Sequence, residues 1–459
     1  MTVNGEVGFW QASLGPPPLR PALPGPTEAD VCIVGAGYTG LWTAWALRSA
    51  RPDLRVIVVE ADHVGFGASG RNGGWLSGFM PGKPELLARG PAGRGGVVAL
   101  RRALQDAVDE VLAICDEEGI EADQVKGGAL TVASTPAQLT RLRAGLRAEQ
   151  SWGVDPDDAW EVPGAEATAR VGVAGLLGGV FSPHCARVHP AKLVRGLAGA
   201  AERKGAEIFE RSGALEIADR RVETVAGTVR ARWIVRATEG YTARLPGLHR
   251  RLLPMSSSMV VTEPLGDERW KTIGWSGLET LCTGSHAYLY AQRTADGRIA
   301  IGGRGVPYRW GSVTDDRGET DLTTIRSLAE AVARLWPAAA DVAVAHAWCG
   351  ALGVARDWCP TVQVDRAAGQ AQAGGYVGDG VTSAYLAGLT LADLVLGEDT
   401  WRTRLAWVGH TSRSWEPEPL RWLGTRGVSA LYRMADRTEE VRGTRTSRLA
   451  SVADLIAGR

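Results

Sequence analysis

Apolar residues along this chain follow two periods, and the switches between them lay out the elements. From Asp30 an unbroken apolar run, VCIVGAG, ends in glycines and passes into helix-compatible YTGLWTAWALRSA. Arg51-Pro52-Asp53 breaks that helix, and RVIVVE is a second unbroken apolar run ending at Glu60. Continuous apolar runs mark strands buried on both faces, so a right-handed βαβ unit is predicted at the amino end of an α/β fold. Residues 97–118 repeat apolar positions near every 3.6 residues, and 136–151, 189–204, 323–336 and 381–396 are also predicted helices. Residues 206–235 alternate like short strands, and 281–303 read as a hairpin turning at Asp296-Gly297. Six prolines within 11–26 predict an extended lead, and 401–459 is an Arg-rich tail of helical stretches expected to cap the surface. There is no internal repeat.

Composition narrows the function classes. The 459 residues carry 51 Lys+Arg against 51 Asp+Glu, so no basic surplus marks a nucleic-acid binder. With 45% apolar residues the chain is not a disordered one. Only five of the 51 basic residues are Lys (Lys83, Lys126, Lys192, Lys204, Lys271), a bias read first as base composition. The six cysteines are irregularly spaced with no CxxC, which argues against a structural zinc site and for a reducing compartment. Glu6 and Trp10 precede the prolines with no basic-then-apolar leader, and the uncharged stretch 171–183 is too short to span a bilayer. A cytoplasmic protein that binds neither membrane nor nucleic acid is expected.

The candidate chemistry starts at Gly35-Ala36-Gly37-Tyr38-Thr39-Gly40, a GxGxxG between strand and helix, with Glu60 ending the next strand. Gly35 permits the tight turn, Gly37 lets a pyrophosphate approach the backbone, and Gly40 lets helix and strand pack closely. The helix start offers N–H groups and a positive dipole end to phosphates. Glu60, followed by Ala61, suits a ribose 2′-hydroxyl and repels a 2′-phosphate. Gly67-Ala68-Ser69-Gly70-Arg71-Asn72-Gly73-Gly74 is a loop of small donors able to follow a long cofactor. Gly374-Gly375-Tyr376-Val377-Gly378-Asp379-Gly380 leads into the 381–396 helix, where Asp379 can also be read as an ordinary cap.

In that order, GAGYTGLWTAWAL, VVEADHVGFGASGRNGGW and GGYVGDGVTSAYLAG resemble the flavoprotein family of D-amino-acid oxidase, glycine oxidase and sarcosine oxidase. GASGRNGGW and the carboxyl segment look closest to the gamma-glutamylputrescine-oxidoreductase-like subgroup, and the likeness spans roughly 28–400. The resemblance implies an α/β plus α+β chain. A discontinuous Rossmann-like FAD-binding domain would take 28–92, 165–245 and 345–400, and a mixed-sheet substrate domain 93–164 and 246–344. The lead 1–27 and the tail 401–459 would flank them. By matching motif, the residues of the first two glycine segments would hold FAD from one side. Gly350, Gly378, Gly380, Val381 and Thr382 would hold it from the other, with Ala237 and Ala214 as backbone neighbours. The implied activity is oxidation of a C–N bond in a small amine or amino acid, with oxygen as the electron acceptor. A dehydrogenase using another acceptor, or a flavin-bearing binding protein without turnover, are the alternatives. Sarcosine oxidases carry an oxygen-promoting Lys on the strand over the flavin, where this chain is expected to place Ala300. Cys349 lies one step from the position of covalent attachment in some relatives, so FAD is expected to be non-covalent.

Such a reaction requires positioning, a neutral amine and a dry face rather than a strong base. Candidates for the substrate pocket are Trp75 after the glycine loop, Tyr288 and Tyr290 on the hairpin, and Trp348 and Asp357 near the carboxyl segment. Trp358, Tyr385, His184, His189 and Arg293, the last as a carboxylate clamp, are further candidates. Each has an ordinary structural use as core, cap or surface residue.

Overall fold

The computed structural model describes residues 2–314, 317–442 and 446–458. The βαβ unit forms as the apolar runs predict: strands Thr27–Val34 and Val56–Val59 pair in parallel around the Tyr38–Ala50 helix. All four residues of VIVV are buried, as expected of a parallel strand covered on both faces. Six strands run in the order 214–218, 221–224, 227–236, 27–34, 56–59, 207–209. The 361–365 and 370–374 pair completes an eight-stranded sheet by joining Gly227–Arg236. One face carries the Tyr38–Ala50, Pro190–Arg203 and Gly380–Leu396 helices in a continuous core. At Gly388 a Cβ would stand 2.7 Å from the Trp42 Cβ, so the first and last of these helices cross in close contact only because position 388 has no side chain.

A nine-stranded mixed sheet stands beside it, in the order 3–4, 344–354, 253–262, 299–303, 290–293, 280–283, 129–133, 178–182, 160–163. The hairpin expected over 281–303 is a three-strand run whose turn at 294–298 holds Asp296-Gly297. Gly178–Ser182 and Val344–Val354 belong to this sheet, so boundaries drawn at 165 and 345 do not follow sheet membership there.

The amino-terminal lead is more structured than its prolines suggest. Val3–Asn4 pairs with His346 and Ala347, and the Phe9–Ala12 helix buries Trp10. Burial of that indole among Trp348, Met259 and Ala300 outweighs the breaker content of the residues after it. The tail forms helices Leu420–Arg442 and Arg448–Ala457. No described helix is long and apolar enough to cross a membrane.

Candidate active site

The first glycine turn is built by contacts that leave no room for side chains. Gly35 has φ of +108°, and a Cβ there would lie 2.7 Å from the Ala237 carbonyl oxygen. A Cβ on Gly40 would stand 2.0 Å from the Gly35 carbonyl oxygen, so helix and strand meet backbone to backbone. Gly37 differs: its φ is −89°, an ordinary value, and its would-be Cβ meets only the Ser69 hydroxyl at 2.9 Å. That hydroxyl accepts the Tyr38 N–H at 2.9 Å. The Glu60 carboxylate accepts the Ala36 N–H at 2.8 Å and the Asp62 N–H at 3.1 Å, while burial pushes its pKa up.

The 67–74 loop holds itself rigid. The Asn72 amide donates to the Ala68 and Ser69 carbonyls and its oxygen accepts the Gly74 N–H, so Asn72 shapes the loop. Two tryptophans brace it from behind: the indole N–H of Trp10 donates to the Asn72 carbonyl at 2.8 Å, and that of Trp348 to the Arg71 carbonyl at 2.9 Å. Trp348→Phe removes a buried donor and is expected to cost about 1–2 kcal/mol. Thermal unfolding of the variant would register this as a melting point lower by a few degrees.

The carboxyl segment closes against the first turn through the Thr39 and Tyr376 hydroxyls, 3.1 Å apart. Glu239 ties three stretches together, accepting the N–H of Gly353 at 3.2 Å and of Gly375 at 3.0 Å, on a backbone with φ of +41°. Burial pushes its pKa up to about 7, against those two hydrogen bonds.

These parts enclose a cavity of about 640 Å³. Its lining includes Gly35, Gly37, Tyr38, Thr39, Glu60, Ala61, Gly67, Ala68, Ser69, Arg71, Asn72, Gly73, Ala214, Ala237, Gly350, Gly378, Gly380 and Val381. Ala36, Gly40, Gly74 and Thr382 lie directly behind that wall, and the buried Thr382 and Ser383 hydroxyls have no protein partner. The cavity continues between Trp75, Ser77, Phe79, Thr131, Cys282, Tyr288 and Tyr290. The Tyr290 ring lies between Gly73 and Gly302, whose Cβ atoms would overlap it, and its hydroxyl meets the Ser257 Oγ at 2.8 Å. Trp75 stands edge-on to it at 6.5 Å.

Asp379 lines this cavity along with Glu60 and Glu239, but without their backbone hydrogen bonds. Asp379 precedes the Gly380–Leu396 helix but makes no capping hydrogen bond, and its described protein partner is the Ser77 hydroxyl at 3.4 Å. Burial pushes its pKa up to about 6. The Cys282 and Cys185 thiols feel its charge, and burial raises both to about 12, so they stay protonated.

Several sequence candidates sit elsewhere. Trp348 shares a strand face with Gly350, but the Arg71 backbone lies between it and the cavity. Asp357 pairs with His410 at 2.8 Å beside the tail. Tyr385 is turned onto Trp42, and its neighbour Ala384 lines the cavity instead. Trp358 is held by the tail and does not line it. Arg293 lies on the strand face opposite Tyr290 and Gln292, 4.0 Å over Trp270, so it is no clamp. His184 bonds Asp158, and His189 caps its helix by accepting the Lys192 N–H. Ala300 is buried behind the loop with Trp10 and Trp348, and Cys349 directs its sulfur to the Glu319 carbonyl. Among the described residues no Lys lines the cavity. Glu239, Ser77, Phe79, Ser257 and Cys282 were not singled out by sequence, and Tyr376 and Asp379 were named only within the carboxyl glycine segment, Asp379 as a cap. The signal for Glu239 was an acid directly after a strand ending at the cofactor.

Comparison with known proteins agrees with this geometry. The family model DAO, described as FAD dependent oxidoreductase, matches residues 30–394. The probable oxidoreductase OrdL of Haemophilus influenzae is 27% identical over 81% of this chain and 84% of its own. Gamma-glutamylputrescine oxidoreductase of Escherichia coli is 29% identical over 80% and 84%. The crystal structure of glycine oxidase from Geobacillus kaustophilus superposes with a TM-score of 0.69 at 22% identity, covering 82% of this chain and 96% of that one.

Proposed function

Because the chain belongs to the DAO family of FAD dependent oxidoreductases, we propose that it oxidises the C–N bond of an amine or amino acid, with oxygen as acceptor. The reading rests on one observation: a cavity with aromatic walls opens beside the glycine turns and holds a buried carboxylate, Asp379, whose described partner is the Ser77 hydroxyl. The residues fit FAD. Gly37 leaves a cradle that a side chain would fill, and Ser69, Asn72 and Gly378 line the same cavity.

When bound, FAD supplies the acceptor for the hydride lost from the carbon bearing nitrogen. The chain does the rest. Trp75, Phe79, Tyr288 and Tyr290 would hold the substrate's apolar part and keep water from the reacting face. Asp379, as carboxylate, would attract the protonated amine and take one proton from its nitrogen, leaving the neutral amine that can lose hydride. The product imine is hydrolysed to a carbonyl compound. Oxygen receives the two electrons with two protons as hydrogen peroxide.

The lack of Lys among the described residues that line the cavity favours a second reading, in which another acceptor takes the electrons. Cys349, turned to Glu319, supports non-covalent FAD. The test is an anaerobic panel of amines and amino acids. At least one is expected to bleach the yellow protein, and admitting air to restore the colour within seconds. No bleaching by any member overturns the amine reading; bleaching with slow recovery in air but fast dye reduction selects the second acceptor.

A further inference from the structure

The family match ends at residue 394, yet the tail beyond it reaches back to a segment that carries a lining residue of the cavity. The Gly284–Leu289 segment joins two strands of the nine-stranded sheet and carries Tyr288 into the lining. The Leu420–Arg442 helix grips it from outside. Both Asp436 carboxylate oxygens accept backbone N–H groups of this segment, from His286 and from Ala287, each at 2.8 Å. Glu439, almost wholly buried, meets the His286 ring nitrogen at 2.8 Å and Arg141 at 3.2 Å, and Arg141 also donates to the Gly284 carbonyl at 2.6 Å. The His286 ring stacks on Tyr432, whose hydroxyl bonds Asp454 of the second tail helix at 2.6 Å.

A second line of contact comes from that helix. Its Ala457 carbonyl accepts the Trp358 indole N–H at 2.9 Å. The Arg304 guanidinium lies 5.7 Å from the Trp358 ring and 5.3 Å from the Tyr288 ring, and it donates to the Tyr288 hydroxyl at 3.1 Å. Arg304 therefore contacts two rings, Trp358, bonded directly to the second tail helix, and Tyr288, in the segment whose His286 and Ala287 the first tail helix holds, and both Arg304 and Tyr288 line the cavity.

We propose that the C-terminal helical hairpin is a positioning element that sets the Tyr288–Arg304 wall of the cavity and so governs substrate affinity. The segment has few internal bonds of its own, and two charge-assisted acceptors on one rigid helix remove its freedom to swing. Asp436 and Glu439 touch neither substrate nor cofactor; they act through Tyr288 and Arg304. The substrate part of this inference rests on the amine reading above, so its test carries a readout that needs no amine.

The experiment uses the full-length FAD-loaded protein with Asp436→Ala, and Arg141→Gln as a second variant entering from the other side of the same grip. Hydrogen exchange across 284–289 is expected to quicken at least about tenfold in both variants while yellow colour is retained. For the panel amine that reduces the wild type best, KM is expected to rise about tenfold with kcat within about twofold. Unchanged exchange in both variants overturns the grip. Faster exchange with unchanged KM overturns the positioning role. If no amine reduces the wild type, the amine reading fails, and exchange at 284–289 alone then upholds or overturns the proposed hold on the wall.

Discussion

Asp379→Asn is expected to lower kcat/KM for the best amine about 100-fold and to abolish the acidic limb of its pH profile. In the wild type that limb rises through the Asp379 titration, which lies near 6 in the ligand-free cavity because burial disfavours the charge. Ser77, Cys185 and Cys282 beside it stay neutral in this range, whereas Glu239, which lines the same cavity, is pushed up to about 7, so the Asn variant is what assigns the limb to Asp379. The same shift predicts an opposite effect on stability. A carboxylate whose folded pKa is raised above its ordinary 3.8 favours folding while protonated. That contribution is lost as pH climbs through about 6. At pH 8 the cofactor-free Asn variant should therefore be more stable than the wild type by up to about 3 kcal/mol, seen in urea unfolding. Unaltered amine kinetics in a folded, yellow variant would remove Asp379 from the mechanism.

Gly37→Val is expected to yield a folded but colourless protein. The backbone there is ordinary, and the added Cβ meets only the Ser69 hydroxyl, which can turn away. The branched side chain instead occupies the space beside the helix start that a pyrophosphate must enter. A loss of FAD affinity of roughly 100-fold or more, about 3 kcal/mol, should appear in visible absorbance and in titration of the stripped protein. Its melting point should stay within a few degrees of the cofactor-free wild type. Gly40 is the contrasting position: a Cβ there collides with the Gly35 carbonyl oxygen, so its glycine is required by folding itself. Retained colour in Gly37→Val would overturn the placement of the cofactor.

Much of the cofactor half was legible because its signals are local. Unbroken apolar runs, a glycine turn and a helix start lie within one stretch of chain, and each residue's neighbours are its sequence neighbours. The substrate half was less legible because it depends on what lies opposite. Arg293 was offered as a clamp, yet it lies on the strand face opposite Tyr290, over Trp270. Trp348 shares a strand face with Gly350, yet another segment's backbone covers it. At the last helix a step of one residue separates Ala384 in the cavity from Tyr385 in the core. Asp379 looks like any capping acid, and only the missing capping bond reveals it as a cavity residue. Glu239 acquires its role from Gly353 and Gly375, more than a hundred residues away in sequence.

The order in which the chain is synthesised has a consequence for when the cavity can exist. The GxGxxG turn leaves the ribosome early, but its covering carbonyl at Ala237 and the Gly378 segment emerge much later. Val3–Asn4 likewise waits for its partner strand, Val344–Val354. The parallel pair 27–34 and 56–59 must therefore persist with an open flank until strand 227–236 arrives, a state prone to pairing with other chains. Capture of the cofactor belongs to the last stage of folding, after the carboxyl segment docks, and bound FAD then stabilises the completed fold by mass action.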